Sequence, residues 1–299
     1  MSEDFGERQI GALTVLFGAR GGKYPSGNSL LVTGRDARAV IDPSLGLVAR
    51  ASAPPADLVL NSHCHEDHIA GNHLYPDVPW HLPEADLPGI RSLDALMQLY
   101  GYPEPIGSAW RKALVEQFHF TPRADAHGFA DGAVFDLGGG VRVRAWHAPG
   151  HTRGHSLFLI EPDGIVYLAD IDLSSFGPYY GDAWSDLGDF RRTLERVREL
   201  DAHCFATFHH IGVVESRADF LERLARFSAV IDARESRLLA YLAEPHTLAE
   251  IVQHRFVYRP GDAVAFADAV EQRSMDMHLR ELLAQVRVSE VEPGRFRAV

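Results

Sequence analysis

Between positions 63 and 68 the chain reads His63-Cys64-His65-Glu66-Asp67-His68, which puts three imidazoles and the Asp67 carboxylate inside six residues. Imidazole nitrogen and carboxylate oxygen are ligands for divalent transition metals, Zn2+ foremost, with Fe or Mn as alternatives. The apolar run Leu58-Val59-Leu60 comes just before them, so they sit on a loop at a strand's end. Alternation along an extended chain sends His63 and His65 to one side, and the turn that follows aims Asp67 and His68 at a neighbouring point. One loop can therefore serve two metals. Two divalent ions lower the pKa of a shared water from about 15.7 towards ~7, so hydroxide forms at neutral pH without a protein base, and Asp67 is placed to orient it. That nucleophile would attack a carbonyl polarised by one metal while the other stabilises the leaving oxygen, nitrogen or sulfur.

By chance, three His and one Asp at these offsets arise in about a few per thousand chains of this length, so a merely solvated loop is a poor explanation. Isolated histidines carry no such weight, and His73, His81, His119, His127 and His254 read as ordinary core or surface residues. Cys64, flanked by ligand types, reads as a small buried side chain.

The elements that must position this loop are short strands broken by Gly and Pro: Leu13 to Phe17, Ser29 to Thr33, Ala39 to Ile41 and Leu58 to Leu60. From Leu74 to His127 the pattern turns to Pro-rich turns and helical stretches, Ser92 to Tyr100 and Ser108 to Phe118, as for a cap inserted over a site. Strands resume at Ala133 to Leu137, Val141 to Ala148, His155 to Ile160 and Gly164 to Ala169. Apolar positions at helical spacing then predict a helix over Leu187 to Leu200 and a strand near Cys204 to Phe208. This is layered α/β packing. After Ser216 come helical segments at Ala218 to Leu242, Leu248 to Phe256 and Asp262 to Val286, and a short hairpin over Val286 to Val299. Three helices and a terminal hairpin are the layout of a winged-helix unit, with Thr247 as N-cap and Glu250 three residues on. The expected division is a catalytic domain over residues 1–217, with a cap-like segment at 74–127, and a winged-helix-like domain over 218–299.

With 299 residues and 46% hydrophobic content the chain can bury a large core. Its formal charge of −12 opposes attraction to phosphate backbones and anionic lipid and favours a small diffusible substrate. Met1 to Phe5 lack the features of an export signal and no apolar stretch is long enough to span a membrane, so a cytoplasmic protein is expected. Two distant cysteines, Cys64 and Cys204, form no disulfide framework and fit a reducing compartment.

The pattern His63-x-His65-x-Asp67-His68 resembles the signature of the metallo-β-lactamase superfamily. So does Gly150-His151-Thr152-Arg153-Gly154-His155, which matches that family's next ligand turn. The resemblance implies a four-layer αββα sandwich and two divalent metal ions. It implies one metal on His63, His65 and His151 and another on Asp67, His68 and a late histidine, with Asp170 as bridge. For the late ligand His210 is expected, since His210-Ile211-Gly212-Val213-Val214 resembles a family variant, with His209 as the alternative. Asp172 competes with Asp170 and ranks below it. Asp42 and His155 correspond to residues that support the ligands.

The helical tail, with Met277-His278-Leu279-Arg280-Glu281-Leu282-Leu283, resembles that of a branch containing hydroxyacylglutathione-hydrolase-like proteins, acyl-carrier thioesterases and an endoribonuclease. The activity so implied is hydrolysis of an ester or thioester of a small acyl substrate. Cleavage of single-stranded RNA is the second reading, but from Asp232 to Val299 acidic residues outnumber basic ones. A winged-helix nucleic-acid-binding regulator with a metal-sensing front domain is the third, and Leu248 to Phe256 offers only Arg255 as a basic contact. Phe176, Pro178, Tyr179 and Tyr180 are candidates to line a substrate pocket; Tyr24, Ser26 and Asn28 resemble turns near the superfamily's active-site rim, and a plain β-turn is the preferred reading of them. An acidic chain with a helical tail is compatible with a homodimer.

Overall fold

The computed structural model describes residues 6–262 and 264–299, so Met1 to Phe5, read above for an export signal, and Ala263 lie outside the described residues. A first sheet has seven strands in chain order: β1 (Glu7–Ile10), β2 (Leu13–Leu16), β3 (Ser29–Thr33), β4 (Arg38–Ile41), β5 (Leu58–Leu60), β6 (Trp80–Pro83) and β7 (His127–Phe129). From β1 to β4 the pairs are antiparallel, and from β4 to β7 they are parallel. A second sheet holds β8 (Val134–Gly138), β9 (Val141–His147), β10 (Ser156–Glu161), β11 (Ile165–Tyr167), β12 (Cys204–Ala206) and β13 (Val213–Val214), in the order β13-β12-β11-β10-β9-β8. Its parallel pair is β11 with β12, joined by a crossover containing helix Leu187–Val197.

Alternation along each strand decides which layer a side chain joins. Leu13, Val15, Leu30, Val32, Ala39, Ile41 and Leu60 face Val143, Ala145, Phe158, Ile160, Tyr167 and Ala206, and this is the core between the sheets. On the outer face of the first sheet, Leu16, Val40, Val59 and Leu82 pack under Leu96, Leu99 and Leu114 of helices Leu93–Tyr100 and Ile106–Glu116. On the outer face of the second, Leu157, Val166 and Phe205 pack under Phe190, Leu194, Phe220 and Phe227 of helices Leu187–Val197 and Arg217–Tyr241. The layers therefore run helix, sheet, sheet, helix. Truncating Phe220, which stacks on Phe205 with centroids 3.8 Å apart, would destabilise the fold by roughly 3–5 kcal/mol.

Helix Arg217–Tyr241 also reaches a separate core. Its Leu238 joins Leu242, Ile251, Phe256, Met275, Leu279 and Val288, which belong to helices Leu248–His254 and Ala267–Ala284, to the turns beside them and to a small third sheet. That sheet orders β14 (His246–Thr247), β15 (Val288–Glu292) and β16 (Arg295–Ala298) as β14-β16-β15. Thr247 and Glu250 form the reciprocal cap read from the sequence.

Five strands escaped the sequence pattern: β1, the two-residue β13 and β14, and the parallel pair β6 and β7. β6 contains His81 and ends on Pro83, and β7 contains Gly128, so neither reads as a strand, yet both extend the parallel edge of the first sheet. β6 and the start of β7 lie within the 74–127 stretch read as a cap, and the helices between them cover the sheet. Cys64 and Cys204 are both buried and free. Among the described residues no helix is long and apolar enough to cross a membrane.

Candidate metal centre

Leu60 closes β5, and the chain continues through Ser62 and His63 to His65, which caps the short helix Glu66–Ile69 in extended geometry. Asp67 and His68 are thus carried round by one helical turn, as a loop serving two points requires. Asn61 fixes that turn by donating to the His68 carbonyl at 2.9 Å. Other loops arrive at the same edge: His151 from the turn between β9 and β10, Asp170 after β11, and His209 after β12.

Two groups of ligand atoms result. In the first, His65 Nδ1 lies 2.9 Å from His63 Nε2 and 2.8 Å from His151 Nε2, with Asp170 Oδ2 2.9 Å from His151 Nε2. In the second, Asp67, His68 and His209 meet, with His209 Nε2 3.0 Å from Asp67 Oδ2. Asp170 touches both: its Oδ1 is 2.9 Å from His68 Nε2, while its Oδ2 faces the first group.

Each imidazole is held through its other nitrogen. His63 Nδ1 meets Ser62 Oγ at 2.9 Å, His65 Nε2 meets Asp182 Oδ2 at 3.0 Å and His151 Nδ1 meets the Tyr179 carbonyl at 2.9 Å. His68 Nδ1 meets Asp42 Oδ2 at 2.8 Å and His209 Nδ1 meets the Gly22 carbonyl at 2.7 Å. Such contacts fix the tautomer and aim the free nitrogen inward. Asp42 is saturated by Ser62 and Tyr167 as well and supports rather than joins the cluster. His155 likewise stands behind: its Nδ1 meets the Ala148 carbonyl and its Nε2 accepts from the Asp170 amide at 3.3 Å.

The electrostatics follow from this crowding. Burial and the neighbouring His68 hold His63 well below its usual range. For His65 burial opposes protonation, but the Asp182 carboxylate prevails and lifts it to about 9. Burial opposes protonation of His209 too, and Asp67 lifts it to about 9. Burial would raise Asp170, yet His68 and His151 hold it well below the carboxylate range. Two buried atoms, Asp67 Oδ2 beside His209 and His65 Nε2 beside Asp182, lie 3.0 Å from their partners without the alignment of a hydrogen bond. Converging imidazole nitrogens with a buried, unsatisfied carboxylate oxygen fit a pair of divalent cations, which would neutralise the acids and fill the lone-pair directions. The His and Asp clusters are those of a dinuclear metal site.

His210, expected above as the late ligand, does not join the cluster. It lies in a left-handed turn at φ 59°, with its ring 3.9 Å from Asp172, because successive side chains leaving β12 diverge; the place is taken by His209. Asp172 stays outside, with Oδ1 accepting from the Ser174 amide. Tyr179 borders the site, its ring edge-on to His151 with centroids 5.8 Å apart. Tyr180, expected beside it, is 1% exposed and its hydroxyl meets His278 Nε2 at 3.0 Å, so packing against the C-terminal helices removes it from any pocket. Cys64 packs against Gly89, away from both groups.

Three acids went unread in the sequence because each stands alone in a loop or beside stronger signals. Asp86 joins the two ligand loops by accepting from the Cys64 and Gly154 amides and the Thr152 hydroxyl. Asp182 meets His65 and also accepts from Tyr179 Oη at 3.2 Å. Glu66 accepts from Tyr24 Oη at 2.8 Å and Tyr100 Oη at 2.6 Å, and burial together with Asp67 pushes it up to about 7.

A curated relative, the atrochrysone carboxyl ACP thioesterase of Claviceps purpurea, is 25% identical over 200 residues, 64% of this chain. The matching stretch spans 52% of that relative's length. Among solved structures, a metallo-beta-lactamase family protein from Thermus thermophilus superposes with a TM-score of 0.70 at 24% identity, over 96% of this chain and 99% of the other. A beta-lactamase domain protein from Burkholderia ambifaria gives 0.68 at 17% identity, over 100% and 95%. These two likenesses concern the fold. The family model described as the metallo-beta-lactamase superfamily matches residues 24–210, more than half of the sequence, and the chain belongs to that superfamily.

Proposed function

We propose that the chain is a metal-dependent hydrolase that cleaves the thioester or ester of a small acyl substrate. The observation that carries this reading is the convergence of His63, His65, His151, Asp67, His68 and His209 on the shared carboxylate of Asp170. His63, His65 and His151 would hold one divalent ion, Asp67, His68 and His209 the other, and Asp170 both. Nitrogen and oxygen donors without thiolate suit Zn2+, with Fe or Mn next. Ions held there supply activated water at neutral pH and polarise a carbonyl.

The chain's own groups do the rest. Asp67 would orient the water through its buried Oδ2, which also faces His209 Nε2 at 3.0 Å. Tyr24, which is 41% exposed, and Tyr179 offer the acyl group aromatic surface beside His209 and His151. Helices Leu93–Tyr100 and Ile106–Glu116 shape the approach: Tyr100 stacks on His65, and Phe118, just beyond the second helix, lies against Tyr24. The relatives named as ACP thioesterases support a thioester over an amide. Residues 1–217 would form the catalytic domain and 218–299 a winged-helix-like one.

A panel of acyl thioesters, lactones, β-lactams and single-stranded RNA tests the reading. Thioester turnover that is lost on chelation, restored by Zn2+ and absent in Asp170→Ala is expected. RNA cleavage without thioester turnover would overturn it, as would turnover that survives Asp170→Ala.

A further inference from the structure

Residues 171–186 contain no strand or helix, yet they supply much of what surrounds the first ligand group. The Tyr179 carbonyl holds His151 Nδ1, Asp182 holds His65 Nε2, and Ser185 Oγ donates to the His151 carbonyl at 2.7 Å. An irregular segment with that duty needs an external frame, since its own backbone groups form no ladder.

The C-terminal helices provide it. Arg234 donates from Nη1 to the Pro178 carbonyl at 2.6 Å and from Nη2 to the Phe176 carbonyl at 2.8 Å. Arg273 Nη1 reaches the Gly181 carbonyl at 3.4 Å and the Tyr100 carbonyl at 2.5 Å, and its Nη2 donates to the Gly101 carbonyl. His278 Nε2 meets Tyr180 Oη at 3.0 Å. Carbonyls 176, 178 and 181 and the side chain of 180 are thus bound from one side, while the carbonyl of 179 points to His151.

Two further observations point the same way. Arg234 is 1% exposed and, among the described residues, has no carboxylate within ion-pair distance; its surroundings are these carbonyls and the rings of Phe176 and Tyr180. A buried cation without a counter-ion is unfavourable, so its retention calls for a role that an apolar side chain could not fill. The backbone also lies flush on the helices. A Cβ on Gly177 would come within 2.4 Å of Val230, and one on Gly181 within 2.3 Å of Val270.

We infer that the C-terminal helical unit is a positioning element for one side of the metal centre, with Arg234, Arg273 and His278 as positioning residues that act on His151 and His65 through segment 176–182. The inference rests on the ligand assignment proposed above. Its signature is asymmetry: the site of His63, His65 and His151 depends on the clamp, and the site of Asp67, His68 and His209 does not.

Stepwise Zn2+ titration of the metal-free full chain against a competing chelator tests it, with Asp182→Asn marking which step belongs to the first site. Arg234→Met and Arg273→Ala should weaken that step about tenfold and leave the other within about twofold. The fold is monitored by thermal melting. Should either variant fail to fold, Arg234→Lys and Arg273→Lys take its place; each keeps the charge but loses the two-pronged grip, and the same one-sided loss is expected. Equal weakening of both steps, or no change in a folded variant, overturns the inference. Wild type that binds no metal would instead overturn the ligand assignment, which keeps the two failures distinct.

Discussion

The two sides of the metal centre are braced by different parts of the chain. Asp67, His68 and His209 lean on the first half of the molecule, through Asp42 just after β4 and the Gly22 carbonyl at the end of the short helical segment Ala19–Gly22. Asp42 is itself tied to Ser62 and to Tyr167 of β11, so this side is fixed by the ends of both sheets. His63, His65 and His151 have one local brace, Ser62; the other two, Asp182 and the Tyr179 carbonyl, belong to an irregular segment fastened to the C-terminal helices. The comparison teaches that a centre which looks symmetric in its ligands need not be symmetric in what holds it. One side inherits the rigidity of strand ends, and the other depends on contacts with helices far along the chain.

The largest effect should come from the residue common to both sides. Asp170→Ala removes the carboxylate that faces both groups, so both metal equivalents and all hydrolysis should be lost together, read by elemental analysis and a thioester assay. Loss of only one equivalent would mean that the sides are not joined through Asp170. Next in size are the braces. Asp42→Asn should weaken the His68 side, and Asp182→Asn the His65 side, each by roughly 10–100-fold in metal affinity. A double variant whose losses multiply would sharpen the view of two separately held sites, and the same step failing in both single variants would break it.

A smaller change is expected at the rim. Tyr24→Phe removes one of two hydroxyls donated to Glu66, so KM should shift by roughly 2–10-fold while both metal affinities stay put.

The smallest concerns the junction beneath the clamp. Contact with His278, against the opposing effect of burial and with help from Arg287 and Arg191, holds Glu235 down to about 2. A depressed carboxylate stabilises the fold above its unfolded pKa of ~4.3, and that contribution fades as pH falls towards the folded value. Melting of Glu235→Gln should therefore lie roughly 2–4 °C below wild type at pH 7, with the gap closing between about pH 4.5 and 2. A gap that persists at low pH would show that the carboxylate acts by shape alone.

Much of the body was legible because its signals are local. β3 runs from Ser29 to Thr33 as its apolar pattern predicts, and the cluster from His63 to His68 declares itself by proximity in the chain. Resemblance to the family motif, with an Asp just after a strand, favoured Asp170 over Asp172. What stayed hidden depends on groups that meet only after folding. Asp86, Asp182 and Glu66 are single acids without a repeating pattern, and the groups they bind at the site, Cys64, His65 and Tyr100 respectively, are 22 or more residues away. His209 and His210 are adjacent and chemically identical, so only the direction of the chain leaving β12 separates them. Asn28 read as a turn residue, but the turn covers Lys23 to Ser26 and Asn28 is buried just after it; it accepts from the Gly18 amide and donates to the Gly21 carbonyl, and the Gly22 carbonyl beside them meets His209. The C-terminal arginines were silent because a guanidinium that binds carbonyls leaves no charge pairing to read.

Metal stoichiometry in His209→Ala and His210→Ala, measured beside wild type on Zn2+-loaded protein with thioester turnover in the same samples, tests the two-sided centre most directly. Two equivalents in wild type and in His210→Ala, about one in His209→Ala, and turnover lost only in His209→Ala is the expected result. One equivalent or none in wild type, or loss of metal in His210→Ala with His209→Ala intact, would contradict it.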